Sequence, residues 1–170
     1  QPRSRGLGDV YKRQGPTYEP LDPVRYIGNY SSGKMGYAIA NEAASQGAEV
    51  ILVSGPVDDL AIHPGVTLLQ TKTAEDMHNI CLRHFEDCNI LIMAAAVADY
   101  KPKHMAEGKI KKEEEITSIE LVKTVDILES LGKKKTNQIL VGFALETDNE
   151  LSNAKEKIKK KKDKLSANSV

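Results

Sequence analysis

Residues 15–36 combine loop-forming glycines with side chains that can bind anions. Their sequence is GPTYEPLDPVRYIGNYSSGKMG, and it runs into an alanine-rich segment with apolar residues at helical spacing. Hydroxyls of Ser31 and Ser32 at a helix N-cap, nearby glycines and the unpaired amides of a first helical turn would form a site for phosphate or carboxylate. Gly15-Pro16-Thr17 could form a second wall. An ordinary capped helix after a turn explains the same pattern equally well.

Two later segments place small or polar residues after runs that we interpret as buried strands. Asp99 follows the alanines of Ala94–Ala96, and Phe143 lies in the segment Gly142–Thr147. Ligands of parallel sheets bind at the carboxyl ends of strands, so these positions are candidates for binding a nucleotide. The carboxylate could hold ribose hydroxyls, a base or a hydrated metal. A capped turn and a core phenylalanine would give the same patterns, so the residues alone leave both interpretations open.

Apolar runs alternate with helical segments along the chain. This alternation predicts a doubly wound, Rossmann-like α/β fold, with a mostly parallel sheet in a three-layer αβα arrangement. Gln46-Gly47 predicts a helix end, and Thr73 with Asp76 predicts a capped helix start. The predicted strands are 48–54, 66–70, 89–94, 119–122, 138–143 and 165–168, and the predicted helices begin near residues 37 and 73 and span 125–131 and 150–162.

Composition limits the class of protein. A chain of 170 residues with 40% apolar content can form one domain with a substantial core. Its apolar runs are strand-sized, below the roughly 18 residues that cross a bilayer, and no hydrophobic signal sequence is seen. The formal net charge is zero, so no overall field attracts nucleic acid. Cys81 and Cys88 lack zinc-site spacing and predict buried thiols. We expect a cytoplasmic protein without membrane or nucleic-acid partners.

Together these motifs resemble the phosphopantothenate-cysteine ligase family. The family pattern is a glycine-threonine loop and then EPxDPVRxIxNxSSGKMG, which the chain matches at Glu19, Pro20, Asp22, Pro23, Val24, Arg25, Ile27, Asn29 and Ser31–Gly36. The family motifs AAxVADY, KxKK and GFAxET recur at Ala94–Tyr100, Lys109–Lys112 and Gly142–Thr147, with Leu145 in place of a usual alanine. The resemblance implies a ligase of coenzyme A biosynthesis that joins 4′-phosphopantothenate to cysteine through an acyl-cytidylate.

The resemblance also implies roles for single residues. Asn29 would polarise the acyl carbonyl, Arg25 would hold a carboxylate or phosphate, and Lys109 would stabilise the departing pyrophosphate. The implied substrates are CTP, 4′-phosphopantothenate and cysteine, and Mg²⁺ is implied as well, although no metal-ligating residues are assigned. The resemblance also implies a homodimer when the protein is full length, and FMN only where a decarboxylase domain lies upstream. The implied nucleotide-binding residues are Gly15, Thr17, Ala95, Ala96, Asp99, Lys109, Phe143, Ala144, Leu145 and Glu146, and the implied phosphate- or substrate-binding residues are Ser31, Ser32, Gly33, Lys34, Met35 and Gly36.

Both ends of the chain depart from the family pattern. Residues 1–14 carry four basic residues and one aspartate without periodicity and resemble translated adapter sequence. We therefore place the domain at residues 15–170 and expect the family's apolar first strand to be missing or badly substituted. The family continues beyond Ala167-Asn168, where this chain has Ser169 in place of the usual aspartate. A domain cut at both ends would be poorly stable, with its activity at risk.

Two other functions are compatible with the predicted fold. An NAD(P)-dependent oxidoreductase would share the sheet, but GxGxxG after a first strand is absent, and His104 stands where a lysine would follow Tyr100. A non-catalytic nucleotide-binding module would keep the cleft without needing Lys109 or Asn29. Substitution of those two residues separates the module from an enzyme, because only an enzyme loses turnover.

Overall fold

The centre of the structure is a six-stranded sheet in which all neighbouring strands run parallel. The computed structural model describes residues 10–111, 118–144 and 167–168. Its elements are β1 (Val10–Gln14), β2 (Tyr18–Pro20), β3 (Tyr26–Gly28), α1 (Lys34–Ser45), β4 (Val50–Ser54), β5 (Val66–Gln70), α2 (Ala74–His84), β6 (Ile90–Met93), β7 (Tyr100–Pro102), β8 (Leu121–Lys123), α3 (Ile127–Lys134), β9 (Ile139–Ala144) and β10 (Ala167–Asn168). The strand order β10-β9-β6-β1-β4-β5 confirms the predicted doubly wound α/β fold. The order in which strands are added to the sheet reverses between β1 and β6, which is therefore the topological switch point.

The central strand β1 is present, so of the two alternatives predicted for the first strand, missing or badly substituted, the structure rules out the first. Its backbone pairs with β4 on one side and β6 on the other, with Lys12 opposite Leu52 and Ile92. The prediction relied on the apolar side chains that buried parallel strands usually carry. Backbone N–H and C=O groups form the ladder whatever the side chain, so a polar segment can still take this place. The sheet thus begins at Val10 rather than at Gly15, and the adapter-like origin of the preceding residues stays a prediction.

Two short antiparallel pairs lie outside the main sheet. β2 pairs with β3, and β7 pairs with β8. The prediction of a buried strand at 119–122 is therefore wrong, since β8 alternates exposed and half-buried residues. A two-stranded antiparallel sheet can leave one face in water, which suits polar residues at its ends. Beside the β7–β8 pair, Lys103 Nζ and Glu120 Oε1 form a salt bridge at 2.7 Å.

Helix α2 begins as the sequence predicted and is tied to the β2–β3 hairpin. Thr73 is its N-cap, and Thr73 and Asp76 form a capping box through side chains and backbone amides. Glu19 of β2 is 2% exposed, and its Oε1 accepts a hydrogen bond from the amide of Ala74 at 2.8 Å. The buried carboxylate thus lies at the positive end of the helix dipole, where it is stabilised. This contact holds the hairpin at the carboxyl edge of the sheet.

Helices cover both faces of the sheet, as the αβα prediction requires. Alternate residues of a strand face opposite sides, and in β4 Leu52 packs with the α1 residues Tyr37 and Ala40, whereas Val53 packs with Met77 of α2 and Leu131 of α3. Both cysteines are buried, as expected. Among the described helices, none has the length and apolar character needed to span a bilayer. β10 lies within the predicted last strand, and the predicted helix 150–162 falls outside the described residues.

Candidate active site

The loops after β1 and β6 are joined at the switch point. Pro16 and Ala96 form a parallel bridge, and the amide of Ala96 donates to the carbonyl of Gly15 at 3.1 Å. The fully buried Thr17 accepts a hydrogen bond at Oγ1 from the amide of Ala98 at 3.0 Å. Three of the residues predicted to bind nucleotide, Gly15, Thr17 and Ala96, therefore form one bonded platform at the carboxyl edge of the sheet.

Asn29 follows β3 and is directed to the same platform. Its side chain is exposed, and Nδ2 donates to the carbonyl of Val97 at 2.9 Å. The β2–β3 register explains this position, because Tyr18 lies opposite Gly28 and the next residues of the two strands, Thr17 and Asn29, leave the hairpin together. A carboxamide has two N–H donors and one carbonyl oxygen. The bond to Val97 orients the group while using one of those donors.

The loop 31–36 leads into α1 but is capped differently from the prediction. Gly33 is the N-cap, with φ of +74° and no side-chain cap, so the predicted hydroxyl N-cap is wrong. Ser31 Oγ instead accepts a hydrogen bond from the amide of Gly33 at 3.4 Å. The left-handed backbone at this position favours glycine over a serine or threonine cap. In this loop Ser32, Lys34 and Met35 are exposed, Ser31 is half-buried, and Gly33 and Gly36 are buried.

The turn after β4 brings the two glycine loops together. A Cβ added to Gly15 would lie 2.8 Å from Val57 Cγ1, and one added to Gly33 would lie 2.7 Å from the same atom. Both loops therefore pack on Val57, to which the sequence analysis gave no role. Tyr37 OH donates to Ser54 Oγ at 3.3 Å and fixes α1 to the end of β4.

A cleft of about 530 Å³ opens between the ends of β6 and β9 and the start of α3. Ala95, Asp99 and Phe143, all predicted to bind nucleotide, line this cleft together. Lys123 and Asp126 also line it, and the sequence analysis missed both. Asp126 is the N-cap of α3 and accepts from the amide of Glu129 at 2.9 Å. An aspartate before a helical segment, following a strand, was the signal that could have found it.

The other predicted nucleotide-binding residues are not placed in this cleft by the described structure. Lys109 is exposed on the segment between β7 and β8 and does not line it. Ala144 is the last residue of β9. Leu145 and Glu146 fall outside the described residues.

Arg25 binds groups of its own chain. Its Nε donates to Asp22 Oδ2 at 2.8 Å, and its Nη2 donates to the same oxygen and to the carbonyl of Ile110, the latter at 2.7 Å. The carboxylate that the guanidinium fork holds is thus Asp22. Burial acts to raise the pKa of Asp22, but hydrogen bonds from the Arg25 side chain and from the amides of Val24, Ile110 and Arg25 outweigh it and hold this pKa well below its usual range.

The family follows from the comparison with known proteins. The model of the DNA/pantothenate metabolism flavoprotein C-terminal domain matches residues 10–170. The chain belongs to this family. The match begins at the first residue of β1, in agreement with the strand seen in the structure. The resemblance inferred from the sequence motifs is confirmed at the level of the family.

Relatives of this flavoprotein C-terminal domain include longer enzymes. The coenzyme A biosynthesis bifunctional protein CoaBC of Bacillus subtilis (strain 168) is 45% identical over 157 residues, which are 92% of this chain and 39% of that protein. A cysteine/cysteine sulfinic acid decarboxylase from an unknown prokaryotic organism is 48% identical over 153 residues, which are 89% of this chain and 43% of that protein. The crystal structure of the C-terminal domain of a bifunctional CoaBC is similar with a TM-score of 0.85 and 42% identity, covering 96% of this chain and 78% of that one. The chain thus spans about two fifths of the curated relatives, 43% and 39% of their length.

Proposed function

We propose that the chain performs the phosphopantothenate-cysteine ligase step of coenzyme A biosynthesis. In the first half-reaction the carboxylate of 4′-phosphopantothenate attacks CTP, forming an acyl-cytidylate and releasing pyrophosphate. In the second, the amine of cysteine attacks the acyl carbonyl, an amide forms and CMP leaves. One observation carries the proposal: Ala95, Asp99 and Phe143 line one cleft. The chain belongs to the family of DNA/pantothenate metabolism flavoprotein C-terminal domains.

The cleft suits a nucleotide in size and in chemistry. Its volume of about 530 Å³ lies within the range usual for small-molecule sites. Phe143 offers an aromatic surface for the base, Asp99 offers acceptors for ribose hydroxyls, and Lys123 offers a cation for phosphate. The small side chain of Ala95 lets the nucleotide approach the backbone at the end of β6.

Mg²⁺ fits this donor set as a companion of the triphosphate. Protein sites for Mg²⁺ commonly use one or two carboxylates together with substrate phosphates. Asp99 and Asp126 both line the cleft and would hold the ion. Within the part of the chain that the structure describes, no group of three His, Cys, Asp or Glu residues could form a metal site by itself. When bound, the ion would neutralise charge on the phosphates.

The acyl and anionic parts of the substrates are assigned to the platform beside the cleft. Asn29 is held over the loop after β6 and would donate to the acyl carbonyl as negative charge develops on its oxygen. The start of α1, with Ser31, Ser32 and Lys34 beside it, would bind an anionic group of a substrate. We assign the departing pyrophosphate to Lys109.

The full-length relatives suggest further partners. The Bacillus relative is named bifunctional and is matched over 39% of its length, so we assign FMN to a decarboxylase domain, where one lies upstream, and not to the cleft described above. Val24, Tyr26 and Tyr30 are 62%, 51% and 107% exposed on one segment. Such a group of exposed apolar side chains supports a homodimer.

The assay that tests the ligase is pyrophosphate release from CTP. We expect release that depends on 4′-phosphopantothenate, and CMP with an amide product when cysteine is added. Asp99→Asn should raise the KM for CTP about tenfold, since one lost charged contact is worth about 1.4 kcal/mol. Asp87→Asn, an exposed site outside the cleft, is the matched control.

Separate measurements on the same protein identify the alternatives. CTP binding without pyrophosphate release would mean a non-catalytic nucleotide-binding module. Oxidation of NAD(P)H would mean an oxidoreductase. Carbon dioxide release from cysteine alone would mean a cysteine decarboxylase, the activity named for the relative that is 48% identical. Each of these results contradicts the ligase proposal.

A further inference from the structure

The segment 106–111 has no helix or strand of its own, and another loop fixes its position. It lies between β7 and β8 and carries Lys109. Within the described residues, three hydrogen bonds join it to the loop between β2 and β3. The amide of Ala106 donates to the carbonyl of Leu21 at 3.0 Å. The other two involve the backbone of Ile110, the residue after Lys109.

Ile110 is held at both of its backbone groups. Its amide donates to Asp22 Oδ2 at 3.2 Å, and its carbonyl accepts from Arg25 Nη2 at 2.7 Å. These bonds join residues 88 and 85 positions apart in the sequence. A backbone unit gripped at both its donor and its acceptor cannot rotate freely, so the direction in which the chain leaves Lys109 is fixed.

Asp22 is the centre of this arrangement. It is 2% exposed, and its Oδ1 accepts from the amides of Val24 and Arg25, each at 2.8 Å. Its Oδ2 receives the Arg25 side chain and the amide of Ile110. Hydrogen bonds to an ionised carboxylate are roughly twice as strong as neutral ones. Because both oxygens of the buried Asp22 carboxylate accept hydrogen bonds, this side chain forms a rigid anchor.

We propose that Asp22 and Arg25 form a clamp that positions Lys109 for the reaction, so that Arg25 is a positioning residue and not a group that holds the substrate. The proposal rests on the ligase function proposed above. Lysine is a point charge on a flexible stem and needs a fixed backbone to act at a defined place. A displacement of about 1 Å can cost about 100-fold in rate. Lysine in place of Arg25 cannot repair the clamp, because an ammonium lacks the planar fork that reaches Asp22 and Ile110 together.

A double-mutant cycle on pyrophosphate release separates positioning from substrate binding. Arg25→Gln alone should lower kcat about 100-fold with a smaller change in the KM for 4′-phosphopantothenate. In a Lys109→Gln background the same change should lower kcat by less than about twofold, because residues that act as a unit are not additive. Arg83→Gln, an exposed arginine at the end of α2, is the control. Losses that multiply, or a rise confined to the KM for 4′-phosphopantothenate, would overturn the clamp and return Arg25 to the substrate.

Hydrogen exchange of the Ile110 amide tests the clamp without any turnover. NMR should show that this amide exchanges faster in Arg25→Gln and in Asp22→Asn than in the unsubstituted chain, while the amides of the main sheet keep their rates. Unchanged protection of Ile110 in both variants would overturn the proposal. If the unsubstituted chain binds CTP but releases no pyrophosphate, the ligase proposal fails. In that case the clamp is still tested by the exchange of the Ile110 amide and by the same double-mutant cycle measured on CTP affinity. Non-additive losses of affinity would show that the clamp positions Lys109, and additive losses would overturn it.

Discussion

Single residues of this chain act mainly by fixing loops to one another. Gly33 is the clearest case, because both its backbone and its surroundings exclude a side chain. Its φ is +74°, and an added Cβ would lie 2.7 Å from Val57 Cγ1. Gly47, with φ of +85° and nothing within 4 Å of an added Cβ, shares only the first of these features. The pair therefore separates backbone strain from steric contact.

We expect Gly33→Ala to lower the free energy of unfolding by about 2 to 4 kcal/mol, since left-handed strain costs about 1 kcal/mol and overpacking about 1 to 3 kcal/mol. Gly47→Ala should cost about 1 kcal/mol, from strain alone. Urea unfolding measures both values. Adding Val57→Ala to Gly33→Ala should recover part of the loss. Equal losses for the two glycine variants would show that the contact with Val57 is unimportant.

Asp22 gives the chain a dependence on acid pH. Its pKa is lower in the folded chain than the value of about 3.9 expected when unfolded, so folding favours the charged form. That contribution is complete above the unfolded pKa and is lost as the pH falls from about 5 through the folded pKa. We expect the stability advantage of the unsubstituted chain over Asp22→Asn to be largest near pH 7 and to shrink below about pH 5.

Urea unfolding at a series of pH values from neutral to acid measures this advantage. Asp87→Asn controls for the removal of one carboxylate from the exposed surface. A difference between the unsubstituted chain and Asp22→Asn that stays constant across the series would show that the hydrogen bonds from Arg25 and Ile110 do not favour the charged form.

At the scale of elements, local patterns predicted what local physics determines. β5 has the predicted bounds of Val66–Gln70, and the Thr73 and Asp76 box caps α2 as expected. These features depend on neighbouring residues, through apolar runs and side-chain to backbone hydrogen bonds. β8 was placed wrongly because its partner, β7, lies in another part of the chain. Local periodicity does not predict which distant strands pair.

The sequence left open whether β1 is missing or badly substituted, because VYKRQ is mostly made of residue types that are rare in a buried central strand. The segment VYKRQ pairs at both backbone edges with strands that are largely apolar. We expect Lys12→Val to raise the free energy of unfolding by about 1 kcal/mol, because valine favours strands and lysine does not. Lys72→Val, at an exposed position beyond the end of β5, should change it by less than about 0.5 kcal/mol. A loss of stability in Lys12→Val would mean that lysine is specifically required in this strand.

The candidate site could be predicted only in part. Ala95 and Asp99 follow β6, Phe143 lies next to the end of β9, and a parallel sheet brings such positions to one edge. Lys123 ends β8, which lies outside the main sheet, and Asp126 is the N-cap of α3, so the rule for strand ends of the parallel sheet does not predict them. The grip of Asp22 and Arg25 on Ile110 joins residues more than 80 positions apart, 88 and 85, and no spacing rule connects them. Contacts between irregular loops need the folded structure.

For the whole molecule, net charge and exposed apolar residues are compatible with the proposed homodimer. The formal net charge is zero at pH 7, so repulsion between copies is weak. Val24, in the loop between β2 and β3, is 62% exposed, and Tyr30, between β3 and α1, is 107% exposed. In a two-fold symmetric dimer each substitution occurs on both partners, so one charged substitution places two charges in the interface.

We therefore expect Val24→Asp to weaken the proposed homodimer at least about tenfold, which corresponds to about 1.4 kcal/mol. The physical reason is the desolvation of a carboxylate without a partner in an apolar contact. Sedimentation equilibrium measures the dimer dissociation constant. Ile62→Asp, at a position 38% exposed between β4 and β5, should leave it within about twofold of the unsubstituted value. A monomer at every concentration would contradict the dimer itself, whereas equal weakening by both variants would show that residue 24 is not specifically in the contact.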